Sequence, residues 1–199
     1  MIHTKKKMKK NRAWHFCGAK LRDGSPIPQD GVWLEHSGEL ELCASGLHFS
    51  RTPFEALQYA PGETLCLVEI GGKIVEKKGD DKGVCSRRKI IVRMDATELL
   101  RYFARMEALS VIHLNEDLPE IVCDYLMTGD DAIRDAARTA AGTATKVAVQ
   151  AAAWPLAWAA AAAAGAAAAA GDVAKDAAAA GVDSKHFNDL VYECFENWL

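Results

Sequence analysis

The chain has 199 residues, of which half are hydrophobic and 26% charged, with a net charge of −3. That is room for one domain with a sizeable core, or one domain plus an appendage, at a balance ordinary for a soluble protein. The six cysteines, Cys17, Cys43, Cys66, Cys85, Cys123 and Cys194, never fall as C-x-x-C and follow no signal peptide, which argues against a disulfide framework or a zinc site. Reduced thiols in the cytoplasm are the expectation, with Cys66 a small core residue.

Taken in chain order, residues 1–12 read as a flexible basic N-terminus, because Lys5, Lys6, Lys7, Lys9, Lys10 and Arg12 crowd it. Six cations alone support only salt-sensitive, nonspecific phosphate contacts, so no nucleic-acid partner is expected. Residues 13–114 carry the texture of an α+β domain. Gly24 to Gly31, with Pro26 and Pro28, reads as a loop leading to a short strand at Val32 to Leu34, and Gly38 and Gly46 bracket a second strand candidate at Glu39 to Cys43. Thr52, Pro53 and Glu55 fit a helix start: a hydroxyl cap, a proline at the first helical position, and a carboxylate reaching back. Pro61-Gly62 stops that helix, and Thr64 to Ile70 follows as a strand. Gly71-Gly72 permits a tight reversal into Lys73 to Glu76. Asp80-Asp81-Lys82-Gly83 is a turn, beside which Lys82, Arg87 and Arg88 place a small cationic patch. Arg88 to Met94 is the strongest β-branched run; it leads to a second helix start at Asp95, whose stripe of Leu99, Leu100, Phe103 and Ala104 is expected to pack on the sheet.

The texture changes to helix alone near Asn115, giving a second region over residues 115–199. Helices are read at about Leu118 to Met127, ended by Gly129, and at Asp130 to Gln150. Ala151 to Ala180 holds 20 alanines in 30 positions, helical apart from breaks at Pro155, Gly165 and Gly171. Methyl side chains bury little area, so this stretch needs close backbone approach to another helix, within the chain or in a homo-oligomer. The uncharged run from Val147 to Gly171 is long enough to span a bilayer, but alanine drives insertion weakly and Pro155 interrupts it, so no membrane partner is expected. Ser184 to Leu199 restores Phe187, Leu190, Val191, Phe195 and Trp198 at helical spacing, read as a bulky cap on the alanine-rich layer.

The run ELCASGLHFSRTPFEALQYAPGETLCLVEIGGKIVEKKGDDKGVCSRR, with its Gly-Leu-His, its short helix ending in Tyr and its alanine-rich tail, resembles an uncharacterised domain of bacteriophage and prophage proteins. The likeness spans roughly residues 39 to 95 and implies a viral or prophage origin without an established activity. A second set of residues is similar to the motifs of ADP-ribosyltransferases: Trp14-His15-Phe16, then Gly46-Leu47-His48-Phe49-Ser50, then Ala56 and Tyr59. That resemblance implies NAD as cofactor, His15 on its ribose and Tyr59 stacked on nicotinamide. The sequence departs from the pattern where Phe16 follows His15 in place of glycine, and where Glu98, Glu107 and Glu116 fall in or beside helices instead of opening a late strand. Transfer chemistry needs a carboxylate against the developing oxocarbenium charge.

The sequence therefore predicts an α+β fold, a small mostly antiparallel sheet with short helices followed by an alanine-rich helical region. Its first functional expectation is a non-catalytic phage or prophage accessory protein that binds a host or phage protein as a counter-defence inhibitor, without a cofactor or metal. The alternative is an ADP-ribosyltransferase-like enzyme that binds NAD through His15 and Tyr59. Candidate binding residues are His48, Ser50, Tyr59, Lys82, Arg87 and Arg88. As structure alone, His48 would satisfy a backbone carbonyl, Tyr59 would pack under the sheet, and Ser50 and Thr52 would be turn and cap residues.

Overall fold

The computed structural model describes residues 8–77, 79–111, 118–150 and 184–199. It is an α+β chain with a small antiparallel sheet of five strands: β1 (Arg12–Cys17), β2 (Trp33–Glu35), β3 (Leu47–Phe49), β4 (Thr64–Glu76) and β5 (Gly83–Asp95). The described helices are α1 (Pro53–Leu57), α2 (Thr97–Val111), α3 (Glu120–Thr128), α4 (Arg134–Gln150) and α5 (Ser184–Cys194), with a closing 3-10 turn over Glu196–Trp198. The chain divides into two compact units, Met1–Ala96 with Asp183–Leu199, and Thr97–Val182. The boundary expected near Asn115, the alanine-rich stretch from Ala151 to Ala180, and most of both the lysine-rich start and the Val147–Gly171 run lie outside the described residues. Among the described residues no helix is long and apolar enough to cross a membrane.

The first unit is built on the β4–β5 pair, the longest two strands, with β1 along the free edge of β4 and both β2 and β3 along β5. Beyond β3, Ser50 exchanges both backbone hydrogen bonds with Trp14, at 2.8 and 2.9 Å. This contact joins β3 to β1, so the strands run round a closed circuit β1–β4–β5–β3. Side chains alternate along a strand, and the two faces of β1 accordingly differ. Trp14 and Phe16 are fully buried on the outer face, where Trp14 meets Phe195 edge-on at 5.0 Å and Tyr192 at 6.0 Å. Ala13, His15 and Cys17 turn inward, toward Cys66, Val68, Ile70, Cys85 and Ile90.

Several local expectations change in this frame. Glu39 to Cys43 is not a strand but a turn, held by Ser45 N–H donating to the Glu41 carbonyl at 2.9 Å, with Cys43 at φ 70°. Gly71-Gly72 does not reverse the chain. β4 runs straight through it with a register shift between Gly71 and Ile74, because Ser86 Oγ accepts the Lys73 N–H and Gly72 takes φ 70°, so the slack becomes a bulge. Arg12, assigned to the mobile start, opens β1. The bulky face of α5 belongs with the sheet unit: Phe195 lies against Trp14, Phe187 meets Phe54 at 6.2 Å, and Asn188 Oδ1 accepts the Phe54 N–H.

In the second unit, Leu118, Val122, Tyr125 and Leu126 of the α3 region share a core with Ala104, Ala108, Ala137 and Ala141. Gly129 at φ 71° ends α3 as the left-handed cap its position predicts, and its N–H donates to the Tyr125 carbonyl at 2.8 Å. Leu100 and Phe103 of α2 are fully buried.

Candidate functional site

Closing the strand circuit leaves a cavity of about 770 Å³ on its inward face, within the range of small-molecule sites, roughly 300–1,000 Å³. Strands β1, β2 and β3 line it together with Arg88 of β5, as do the segment from Lys20 to Asp23 and the Cys43–Gly46 turn. Gly46 at φ 114° shapes that turn. An added Cβ would stand 2.8 Å from Leu40 Cδ2 and 3.3 Å from Val84 Cβ, so the turn packs down only because the side chain is absent.

Of the residues singled out in the sequence, His15, His48, Ser50, Tyr59, Lys82 and Arg88 all border this one cavity. Arg87 does not: on the opposite side of β5 it pairs with Glu35 at 3.0 Å and lies over the Trp33 ring at 4.7 Å. Tyr59 is not packed under the sheet. It is 47% exposed at the mouth, where its hydroxyl donates to Asp81 Oδ2 at 2.6 Å and Lys82 Nζ sits 3.9 Å above its ring. His48 is turned into the cavity, while its backbone carbonyl is spoken for by Arg88.

Arg88 is the exceptional group. Only 6% exposed, it is with Ser50 one of two buried polar side chains among the described residues. Its Nη1 donates to the His48 carbonyl, and no described carboxylate forms an ion pair with it. Burial pulls its pKa down and the neighbouring thiols pull it up, chiefly Cys17. A guanidinium keeps its proton throughout, so a positive charge sits in the wall without an acid. Lys20, Arg22 and Lys82 add three more cations against two carboxylates, Asp23 and Glu35. Both acids are engaged: Asp23 Oδ1 accepts from Ser25 N–H at 2.9 Å and from its hydroxyl at 2.6 Å, and Glu35 holds Arg87.

The field shows in the bases. Burial first, then the Arg88 charge, holds the His15 imidazole down at about 4, so it is neutral at pH 7. His48 is lowered by burial, then by Arg88, Lys82 and Arg22. Beside His15 lies a thiol pair that the sequence alone does not single out: Cys66 Sγ–H donates to Cys17 Sγ at 3.4 Å. That bond, with His15 and Arg88 nearby, lowers the Cys17 pKa against the opposing effect of burial, and it raises that of Cys66. The signal available was the H-x-C spacing of His15 and Cys17, which puts both on one face of a strand. Among the described residues no group of three or more His, Cys, Asp or Glu side chains is placed to hold a metal ion.

No curated protein and no solved structure matches the chain. Residues 11–102, which contain all five strands and every residue bordering the cavity, match the profile of a family described as a domain of unknown function (DUF7666).

Proposed function

We propose that the sheet unit is a binding module for a small organic anion, with NAD and related phosphate-bearing nucleotides as its first ligands to test. The observation that carries this reading is the buried Arg88 guanidinium, which borders a ligand-sized cavity and has no acid of its own. A buried unpaired charge is costly, and an anionic ligand that forks onto the guanidinium relieves it. His15 and Tyr59 bordering the same cavity supports NAD as a candidate within that class. The two cavity carboxylates are tied to Ser25 and Arg87, so we propose binding without ADP-ribosyl transfer. The accessory role, with a host or phage protein as partner and counter-defence as purpose, rests on the sequence resemblance. Its proposed contact surface, the alanine-rich helices, lies outside the described residues, so the cavity is the better-supported starting point.

Millimolar NAD tests the reading by thermal shift. Ligand at a hundredfold its Kd stabilises the bound unit by about 2.7 kcal/mol, and the resulting rise in Tm should vanish in Tyr59→Ala if the nicotinamide stacks there. Incubating labelled NAD with the protein and bacterial lysate should leave no label on protein. A transferred label would replace binding with catalysis, and no shift with any nucleotide would remove the proposal.

A further inference from the structure

Two of the six cysteines touch, and they do so at the cavity. In the β1–β4 ladder Cys17 is opposite Thr64 and Cys66 is opposite His15, so the two cysteines are diagonal neighbours with Sγ atoms 3.4 Å apart. Cys17 borders the cavity, and Cys66 stands behind it, fully buried. One thiol thus faces the space a small reactant would enter, and the other is in contact with its sulfur.

We propose that Cys17 and Cys66 form a redox-active dithiol that a small hydroperoxide, entering through the cavity, converts to a disulfide between β1 and β4. The first step is attack of the Cys17 thiolate on one peroxide oxygen. An S–O bond forms, the O–O bond breaks, and hydroxide leaves and takes up the proton that Cys17 released. Cys66 then gives up its proton as its sulfur attacks Cys17 Sγ; the S–O bond breaks, and the departing hydroxide takes that proton and leaves as water. The two sulfurs lose a pair of electrons and the peroxide gains them, so two thiols and one hydrogen peroxide become one disulfide and two waters.

The surroundings separate this pair from the other thiols. Cys17 is the sulfur of the pair that borders the cavity, and the Arg88 guanidinium and the His15 imidazole beside it favour its ionised form. Cys85, also buried on this face, donates instead to the Leu47 carbonyl at 3.4 Å. Cys43 and Cys194 are exposed, and Cys123 belongs to the second unit. These four serve as internal controls. The inference stands apart from the nucleotide reading, since hydrogen peroxide is hardly larger than water.

The full-length protein is titrated with hydrogen peroxide, quenched, unfolded, alkylated with N-ethylmaleimide and mapped by peptide mass. The expected result is a cross-linked peptide pair containing Cys17 and Cys66, lighter by two hydrogens, that dithiothreitol reverses, with Cys85 still alkylated. Cys66→Ser should lose the cross-link and leave a Cys17 sulfenic acid that dimedone traps, and Cys17→Ser should leave Cys66 fully alkylated. Wild-type protein in which Cys17 and Cys66 are both alkylated while Cys43 or Cys194 has been oxidised would overturn the proposal, whether or not either variant folds. Oxidation of Cys66 in Cys17→Ser to the wild-type extent would overturn it too.

Discussion

A guanidinium cannot shed its proton to escape burial, so whatever surrounds Arg88 must tolerate a fixed charge. The imidazole of His15 can escape, and it does so by staying neutral. Its ordinary value of 6.5 falls to about 4 in the folded chain, so between those limits the unfolded chain binds a proton that the folded one refuses. Stability therefore rises with pH across that window and is lost as pH falls from about 6.5 toward 4. Each pH step of one between those limits corresponds to about 1.36 kcal/mol, so His15 contributes about 3 kcal/mol of this acid sensitivity. Urea midpoints at pH 7 and pH 4 should fall further in wild type than in His15→Gln; equal falls would place the imidazole in contact with water. None of this was legible in the sequence. His15, His48 and Arg88 lie far apart in the chain, and only strand pairing brings their electrostatics together.

The elements that could be read from sequence are those whose causes lie within a few residues. Thr52, Pro53 and Glu55 form the expected capping box: Glu55 N–H donates to Thr52 Oγ1 at 3.3 Å, and Glu55 Oε2 accepts Thr52 N–H at 2.9 Å. Thr52→Ala should cost about 1 kcal/mol, measured as a lowered urea midpoint of the sheet unit; an unchanged midpoint would mean that α1 is held by Phe54 and Asn188 alone. The β4 and β5 cores, Thr64 to Ile70 and Arg88 to Met94, were likewise legible, because apolar and β-branched runs report burial directly. Gly71-Gly72 misled because a double glycine permits a turn or a bulge equally, and the choice fell to Ser86 on the neighbouring strand. β3 emerged as a strand only through its partners, Gly83 to Cys85 on one side and, just past its end, Trp14 on the other.

For the whole molecule, the consequential step is the return of the last helix to the sheet unit. Phe195 and Tyr192 cover the outer face of Trp14, and Arg12 Nη1 donates to the Trp198 carbonyl at 2.9 Å. Helical periodicity marked this face as apolar but could not say what it covers. Phe195→Ala should lower the stability of the sheet unit by about 3 kcal/mol, read from urea unfolding; a loss under about 1 kcal/mol would show that the helix only rests on the sheet. Covered outside and closed by the Ser50–Trp14 contact, the strand circuit holds its cavity open around Arg88. The most direct test is calorimetric titration of ADP and of adenosine into wild type and Arg88→Met, alongside the thermal stability of each protein. ADP should bind wild type at least tenfold more tightly than adenosine. Arg88→Met should lose that preference while melting close to wild type, because an apolar side chain of similar volume removes a buried charge that no described carboxylate neutralises, and this offsets the hydrogen bond lost to the His48 carbonyl. Equal binding of ADP and adenosine by wild type, or an Arg88→Met protein that keeps its preference for ADP, would contradict the account.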